Sequence, residues 1–290
     1  MVEVRRNGTL EAVHRFHAVA VRDGAVVARA GDASLACFMR SSSKPLQALP
    51  LVRARDDLTD EDVAIACASH RATPEQLAAA EALLRRAEAT EDDLELGPQE
   101  GRPSRLIYNN CSGKHAGMLA LCRAHGWPTR GYRLPDHPVQ QAAAAAHAEA
   151  AEADERELAT GTDGCAVVTF GMPLERMAHA FARLPQLPRA HRIIEAMRAR
   201  PDLVGAADGA DVLLMQHPEH TYVAKGGAEG LLCAVDLATR TGYALKCEDG
   251  SGRGMARAAA AFLGVELAPT RLRNTRGELV GEVSLRTSSA

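Results

Sequence analysis

The sequence predicts an α+β protein in which strands from both ends of the chain form one domain and a mainly helical segment is inserted between them. Apolar runs of strand length lie near both ends, whereas the middle is rich in Ala, Leu, Glu and Arg at helical spacing. From this order we expect residues 1–40 and 205–290 to form a discontinuous α/β domain and residues 41–204 to form the helical insert. The cleft between two such domains is a usual place for a small-molecule site.

The N-terminal strands begin with a predicted hairpin. The apolar runs Ala18–Val21 and Ala25–Ala30 flank the pair Asp23-Gly24, which is typical of a tight turn between strands. A third apolar run, Leu35–Met39, follows the hairpin. These three runs are the strands that we expect before the insert.

The remaining elements are predicted from the same kind of pattern. A proline in the first turn, helical spacing of Leu and Val, and long runs of Ala and Glu indicate helices. The predicted helices open at Ser43, with Pro45 in the first turn, and cover Leu77–Ala89, Val139–Ala159, Leu174–Leu184 and His191–Arg200, the last ended by Pro201. The C-terminal third is predicted to contain strands over His220–Lys225, Gly230–Leu237 and Tyr243–Cys247 and a helix over Ser251–Leu263.

Composition argues against several classes of function. The chain has 290 residues, of which 34 are basic and 37 acidic, and its formal net charge is −3. This balance argues against nucleic acid or an anionic membrane surface as a partner. No apolar run approaches the ~18 residues that span a bilayer, and Met1–Arg6 lacks the apolar segment of a secretory signal. Seven cysteines, an odd number without a close Cys-x-x-Cys pair, indicate reduced thiols and a cytoplasmic location.

The first candidate catalytic segment is the run of serines that ends at Lys44. Ser41 and Lys44 are three residues apart, so they share one face of a helical turn. A serine hydroxyl becomes nucleophilic when a base takes its proton, and a lysine serves as that base when burial or a nearby cation lowers its pKa. This Ser-x-x-Lys spacing is typical of penicillin-binding proteins and class A β-lactamases. The alternative is a helix-capping serine beside a solvated lysine.

A second motif, Lys225-Gly226-Gly227, ends a predicted strand late in the chain. In the Ser-x-x-Lys enzymes a Lys-Thr-Gly segment occupies a strand that lines the cleft. The two glycines would let a substrate approach the backbone closely; the alternative is a lysine at a turn. An earlier serine, Ser69 in Cys67–His70, is predicted either to hold a substrate or relay a proton, or to cap a turn.

A third pattern combines thiols with a lysine. The polar loop Asn109–Met118 leads into a helix and contains Cys111 and Lys114, while Cys165 follows Asp163 later in the chain. Deprotonated thiols and amines bind zinc, although lysine is a rare ligand and four ligands are usual. A structural loop and a metal site both remain open on this pattern. Asp163 is predicted either to bind an ammonium group or to form a turn.

Together these segments resemble the Rhizobium-type L-asparaginases, a bacterial family also called asparaginase II. The most specific of them are Asn110–His115 and Lys225–Gly230, and the matching segments keep the order of the family over roughly residues 15–285. The segments are Arg40–Gln47, Ala64–His70, Tyr108–Gly117, Asp136–Gln140, Asp163–Cys165, Pro173-Leu174, Lys225–Gly230 and Leu245–Gly250.

The resemblance implies a fold similar to serine β-lactamases, hydrolysis of L-asparagine to L-aspartate and ammonia, and a homodimer in the cytoplasm. It implies two catalytic Ser–Lys pairs, Ser41 with Lys44 and Ser69 with Lys225. It also implies one zinc ion near the cleft, which we expect to position a loop rather than to take part in the reaction. The implied zinc ligands are Cys111, Lys114 and Cys165, and the implied substrate contacts are Arg40, His115 and Asp163.

In the mechanism that we predict, Lys44 takes the proton of Ser41, which attacks the side-chain carboxamide to give an acyl-enzyme that water hydrolyses. The amides of Ser41 and of the Gly226-Gly227 strand are the expected oxyanion donors, and Ser69 and Lys225 relay protons or keep Lys44 neutral. Two rival functions are a β-lactamase-like hydrolase and a non-catalytic binder of asparagine or zinc.

The sequence departs from the family pattern in three segments. Arg71–Thr73 replaces a small residue followed by Gly and Glu, and Ala206–Gly209 replaces Gly-Thr-Gly-Arg. The stretch Leu184–Arg192 is shortened. We expect the first two departures to alter substrate affinity or choice.

Overall fold

The strands of the protein come mainly from the two ends of the chain. The computed structural model describes residues 1–219 and 221–286. In this part of the chain the strands are β1 (Val2–Arg6), β2 (Thr9–His14), β3 (Phe16–Arg22), β4 (Ala25–Ala30), β5 (Ala36–Phe38), β6 (Ala159–Thr162), β7 (Val168–Pro173), β8 (Tyr222–Gly227), β9 (Leu231–Asp236), β10 (Thr241–Cys247), β11 (Thr270–Arg273) and β12 (Leu279–Leu285).

The helices occupy the middle of the chain, with one more near its end. They are α1 (Lys44–Gln47), α2 (Leu49–Ala54), α3 (Asp60–Ala66), α4 (Pro74–Arg86), α5 (Ser112–His125), α6 (Pro138–Ala151), α7 (Leu174–Arg183), α8 (Ala190–Ala199), α9 (Pro201–Val204), α10 (Ala210–Met215) and α11 (Met255–Leu263). Within the described residues, none of these helices combines the length and the apolar character needed to cross a membrane.

A five-stranded antiparallel sheet joins the two ends of the chain in the order β4-β3-β10-β9-β8. Its N-terminal hairpin is the predicted one: Asp23 and Gly24 both have positive φ, as the tight turn between β3 and β4 requires. Helix α7 packs against the sheet at Gly242, where a Cβ would lie 1.9 Å from the carbonyl oxygen of Ala178. The predicted α+β class, with strands from both ends in one sheet, is therefore confirmed.

Two smaller sheets differ from the sequence-based expectation. The strands β11-β12-β1-β2, in that order, form a four-stranded sheet that was not predicted, because its short strands mix charged and apolar residues. β5 pairs with β7, and β7 with β6, so the segment predicted as a helical insert also contributes two strands. The division into domains at residues 40/41 and 204/205 stays a prediction.

Several predicted boundaries were wrong. The helix predicted over Val139–Ala159 ends at Ala151, because Glu152 takes a left-handed conformation at φ 50° and Ala159 begins β6. The helix predicted over His191–Arg200 does end before Pro201, at Ala199, and Pro201 then begins the short helix α9, where its missing N–H costs nothing. The helix predicted from Ser251 begins at Met255. The first residue of the strand predicted from 220 lies outside the described residues, and β8 begins at Tyr222.

Candidate active site

The three consecutive serines before α1 have different environments. They form a 3₁₀ turn with Arg40 directly after β5. The Ser42 hydroxyl donates to the Met39 carbonyl at 2.7 Å, and the Ser43 hydroxyl donates to the Arg40 carbonyl at 2.8 Å. The Ser41 hydroxyl has no hydrogen-bond partner among the described residues, and Ser41 lines a cleft. The helix-capping alternative for Ser41 is therefore wrong, because this side chain caps no helix.

The backbone before Ser41 is strained. Arg40 has φ 49°, in the left-handed region that costs a non-glycine residue about 1 kcal/mol or more. Two contacts hold this conformation: the Arg40 amide donates to Thr169 Oγ1 at 3.2 Å, and the Arg40 Nε donates to Asp163 Oδ1 at 2.7 Å. The turn thereby directs Ser41 into the cleft while Ser42 and Ser43 remain buried.

Lys44 is buried without a carboxylate partner. Its side chain is 0% exposed, so it is not the solvated lysine of the alternative interpretation. The Lys44 ammonium donates to the carbonyl of Ala68 and, at 3.1 Å, to Ser69 Oγ. Burial lowers the pKa of Lys44, and the charges of Lys114 and Lys225 lower it further, against an opposing effect of Cys111. The structure thus brings Lys44 into contact with Ser69, whereas no hydrogen bond joins Lys44 to Ser41 within residues 1–219 and 221–286.

Lys225 lies on β8 and has a carboxylate partner. Its ammonium donates to Asp211 Oδ2 at 3.0 Å and to the Gly226 carbonyl at 3.0 Å. Asp211 also accepts the Gly226 amide at 2.9 Å and the Val212 amide at 3.0 Å. Burial opposes the ionisation of Asp211, but Lys225 and these amides lower its pKa on balance. No hydrogen bond joins Lys225 to Ser69 in the described chain. The two residues of the predicted second Ser–Lys pair line the same cleft.

The cleft beside these residues has a volume of about 290 Å³. It is lined by both serines, by Lys225 and by residues of two of the three segments that depart from the family pattern, Arg71–Thr73 and Ala206–Gly209. Its polar lining residues are Ser41, Ser69, Arg71, Asn110, Asp211 and Lys225, and its glycines are Gly205, Gly209, Gly226, Gly227, Gly230 and Gly252. Because so much of the wall is glycine, a small substrate has access to the backbone.

The predicted zinc ligands lie together at the start of α5 and in the turn before β7. Cys111, Lys114 and Cys165 are each 4% exposed, and Lys114 Nζ lies 3.0 Å from Cys165 Sγ. A hydrogen bond from Cys111 lowers the pKa of Cys165 to about 5, with help from Lys114 and against the effect of burial. The two thiolate sulfurs are donors that zinc prefers, the lysine nitrogen is a rarer one, and three protein ligands leave one coordination position open. The residues present therefore fit a zinc ion, provided that Lys114 loses its proton on binding.

The predicted substrate contacts have partners within the protein. Asp163 accepts Arg40 at 2.7 Å and lies 3.6 Å from the Lys114 ammonium. His115 is 0% exposed, and its Nδ1 lies 2.7 Å from the Tyr132 hydroxyl. His115 Nε2 has no partner in the described chain. The structure thus joins Arg40 and Asp163 as an ion pair beside the predicted zinc ligands. None of the three predicted substrate contacts, Arg40, His115 and Asp163, lines the cleft.

Sequence reasoning missed the role of Asp211 and the position of Arg71. Asp211 is not a predicted site residue, because its contact with Lys225 spans 14 residues and depends on how α10 packs against β8. His70 is buried rather than on the surface, and its Nε2 lies 2.8 Å from Ser112 Oγ. A second group of possible metal-binding side chains in the described chain, His14, Cys247 and Asp249, is not part of the cleft lining.

Solved structures with similar folds are distant in sequence. The native form of Mglu is 17% identical and has a TM-score of 0.49, over 87% of this chain and 65% of that chain, so the present chain spans less than two thirds of its length. A β-lactamase from Burkholderia vietnamiensis is 16% identical, with a TM-score of 0.42, over 86% of this chain and 93% of that chain. A β-lactamase from Mycobacterium bovis is 15% identical, with a TM-score of 0.38, over 85% of this chain and 94% of that chain.

No curated protein matches the sequence. A family model does match it: the model described as L-asparaginase II aligns with residues 2–284. This alignment includes the turn Arg40–Ser43, the predicted zinc ligands and strand β8 with Lys225. It covers nearly the whole chain, and the protein accordingly belongs to the L-asparaginase II family.

Proposed function

We propose that the protein hydrolyses L-asparagine to L-aspartate and ammonia through an acyl-enzyme formed on a serine. Membership in the L-asparaginase II family supports an amidohydrolase of this type. The observation that carries the proposal is the cleft that contains both the unbonded hydroxyl of Ser41 and Ser69, whose Oγ accepts a hydrogen bond from buried Lys44. A nucleophile within reach of a base of lowered pKa is the arrangement that covalent catalysis requires.

The contacts of Lys44 indicate how the proton leaves the nucleophile. Because the Lys44 ammonium is hydrogen-bonded to Ser69 and, within the described residues, not to Ser41, we place Ser69 between the two. The Ser41 oxygen attacks the carboxamide carbon while its proton passes to Ser69 Oγ, and the Ser69 proton passes to neutral Lys44. Protonated Lys44 then returns a proton through Ser69 to the leaving nitrogen, which departs as ammonia. Water hydrolyses the ester by the same route and releases L-aspartate.

Ser69 as the attacking serine is the direct alternative, since its Oγ is 3.1 Å from the Lys44 nitrogen. Ser41 is favoured because its hydroxyl has no competing contact and its amide lies in the first turn of a helical segment, where N–H groups lack intrahelical partners. That amide is then suited to bind the oxyanion. The Gly226 amide is not suited, because it donates to Asp211.

Lys225 acts as a fixed cation in this proposal. Its ion pair with Asp211 keeps it on the cleft wall, and its charge helps to keep Lys44 neutral. If zinc binds, Cys111, Lys114 and Cys165 would hold it, and it would order the loop before α5 rather than take part in the reaction. Arg40, Asp163 and His115 lie beside these ligand residues rather than in the lining of the cleft.

The test is ammonia release from L-asparagine and L-glutamine by the purified protein, together with mass spectrometry of the enzyme during turnover. We expect release from L-asparagine and an aspartyl ester on the peptide that contains Ser41. An ester on the Ser69 peptide would reassign the nucleophile. No release from either amide, with nitrocefin hydrolysed instead, would replace the proposal with the β-lactamase-like alternative.

A homodimer and a cytoplasmic location are further parts of the proposal, and both follow from the family. Light scattering after gel filtration measures the first. A mass of twice 30.8 kDa is the expected result. Fractionation of the native cell measures the second.

A further inference from the structure

Arg71 is the charged side chain in the cleft wall that has no ion pair. Of the charged residues that line the cleft in the described chain, Lys225 and Asp211 are paired with each other at 3.0 Å. Arg71 has an exposed side chain without a carboxylate partner among residues 1–219 and 221–286. The cleft therefore presents one free positive charge to whatever it binds.

A second arginine increases this positive potential. Arg102 donates to the carbonyl of Tyr108 at 2.7 Å and to the carbonyl of His70 at 3.1 Å, and no carboxylate neutralises it in the described structure. Burial lowers the pKa of Arg102, and the charge of Arg71 lowers it further. Because Arg102 binds the carbonyl of His70, the residue directly before Arg71, its charge lies beside the Arg71 turn and adds to a positive potential that favours an anion.

The turn that carries Arg71 is fixed to the cleft. The Arg71 amide donates to Gln76 Oε1 at 2.7 Å, and Gln76 Nε2 donates in turn to the Gly205 carbonyl at 3.1 Å on the opposite segment. Ala72 follows in a left-handed conformation at φ 60°, with its amide bonded to His70 Nδ1 at 3.1 Å. The guanidinium thus originates two residues after Ser69 on a backbone that has little freedom to move.

We propose that Arg71, supported by the charge of Arg102, forms the subsite that receives the α-carboxylate of the amide substrate. This inference rests on the proposed function. A guanidinium matches a carboxylate through two parallel N–H···O bonds, which a lysine cannot reproduce. The other arginine near the site, Arg40, already has Asp163 as its partner. Because Arg71 occupies a segment that departs from the family pattern, the subsite belongs to this chain rather than to the family as a whole.

The test compares substrates and ligands that differ only in the α-carboxylate. L-Asparagine and β-alaninamide contain the same reacting carboxamide, and only L-asparagine has the carboxylate. We expect Arg71→Met to lower kcat/KM for L-asparagine about 10- to 100-fold, the range of a lost hydrogen bond to a charged group. The same variant leaves kcat/KM for β-alaninamide unchanged within about twofold. Arg71→Lys recovers only part of the loss.

A matched control separates this effect from a general loss of charge. Arg198→Met removes an exposed arginine of α8 outside the cleft lining. We expect it to leave kcat/KM unchanged for both L-asparagine and β-alaninamide. An equal loss for both substrates with Arg71→Met, or no loss for L-asparagine, would overturn the subsite. If the wild type releases no ammonia, the proposed function fails, and calorimetry with L-aspartate and β-alanine still decides the inference. A preference for L-aspartate that Arg71→Met abolishes supports it, and equal binding of both ligands refutes it.

Discussion

Lys44 and Lys225 are two buried lysines beside one cleft, and their partners give them opposite roles. Lys44 is 0% exposed, and in the described part of the chain its ammonium donates hydrogen bonds to neutral oxygen atoms, of Ala68 and Ser69. Lys225 is 1% exposed and contacts the carboxylate of Asp211. A buried ammonium without a counterion loses its proton readily, whereas one paired with a carboxylate keeps it. Neighbouring groups, rather than burial itself, therefore determine which lysine is the base and which is the cation.

The substitutions with the largest expected effects show which of the two serines is the nucleophile. We expect Ser41→Ala to reduce kcat by about 10⁴-fold or more, because removal of a nucleophile leaves only binding and oxyanion stabilisation. Ser69→Ala retains the nucleophile and loses the proton route, so its loss is expected to be about 10²- to 10⁴-fold. Steady-state ammonia release measures both. If Ser69→Ala is the more damaging substitution and Ser41→Ala remains active, Ser69 is the nucleophile.

The second prediction concerns the base. Lys44→Met is expected to lower kcat by about 10²- to 10⁴-fold while the fold is kept, because the substitution replaces a buried ammonium by an apolar group of similar length. Lys225→Met gives a smaller loss of kcat and a larger loss of stability, since Asp211 is left buried and unpaired. Equal effects of the two substitutions would remove the distinction between base and cation.

The pH profile of the wild type sharpens the same distinction. The base must be neutral, and the neutral fraction of Lys44 rises with pH through its lowered pKa, so kcat/KM is expected to increase to a plateau whose midpoint lies below the ordinary range of lysine. The titratable groups that influence Lys44 are Cys111, Lys114, Lys225 and Cys165. Lys225→Met removes one of the two cations that favour neutral Lys44, and the midpoint should move upward. An unchanged midpoint would contradict the electrostatic role of Lys225.

Asp211→Asn removes the negative charge that pairs with Lys225. We expect a loss of about 3–5 kcal/mol in the free energy of unfolding, because an uncompensated buried ammonium remains at Lys225. Denaturant unfolding measures this value, and the double variant Asp211→Asn with Lys225→Met should recover part of it. A matched control is Asp202→Asn, which alters an aspartate that is half exposed and paired with Arg200. Its expected cost is under about 1 kcal/mol.

The smallest expected effect on the reaction is that of metal removal. If zinc orders the loop at α5 without joining the reaction, chelation lowers the melting temperature and reduces kcat less than about tenfold. Cys165→Ser is expected to behave like the chelated wild type and to lose the zinc measured by elemental analysis. Complete loss of turnover with an intact fold would instead place the metal in the reaction.

The predictability of the fold varied with the range of the interactions. The hairpin at Asp23-Gly24 was predicted because its turn depends on two adjacent residues. The sheet formed by β1 and β12 was missed because Val2 pairs with Leu285, at the other end of the chain, and β1 is only five residues long. The end of α6 was misplaced because the Ala-rich run continues beyond the left-handed residue that ends the helix.

The sequence by itself determined the family, the α+β class and the residue types available for chemistry, since the Ser41-x-x-Lys44 spacing, the Cys111–Lys114 segment and the Lys225-Gly226-Gly227 strand are local patterns. Only the tertiary structure decided the partners of these residues. It joined Lys44 to Ser69 and Lys225 to Asp211, and it placed Arg71 in the cleft wall. The reason is physical: a local pattern fixes which groups are close along the chain, whereas the charge of a buried group depends on neighbours that the packing of distant segments supplies.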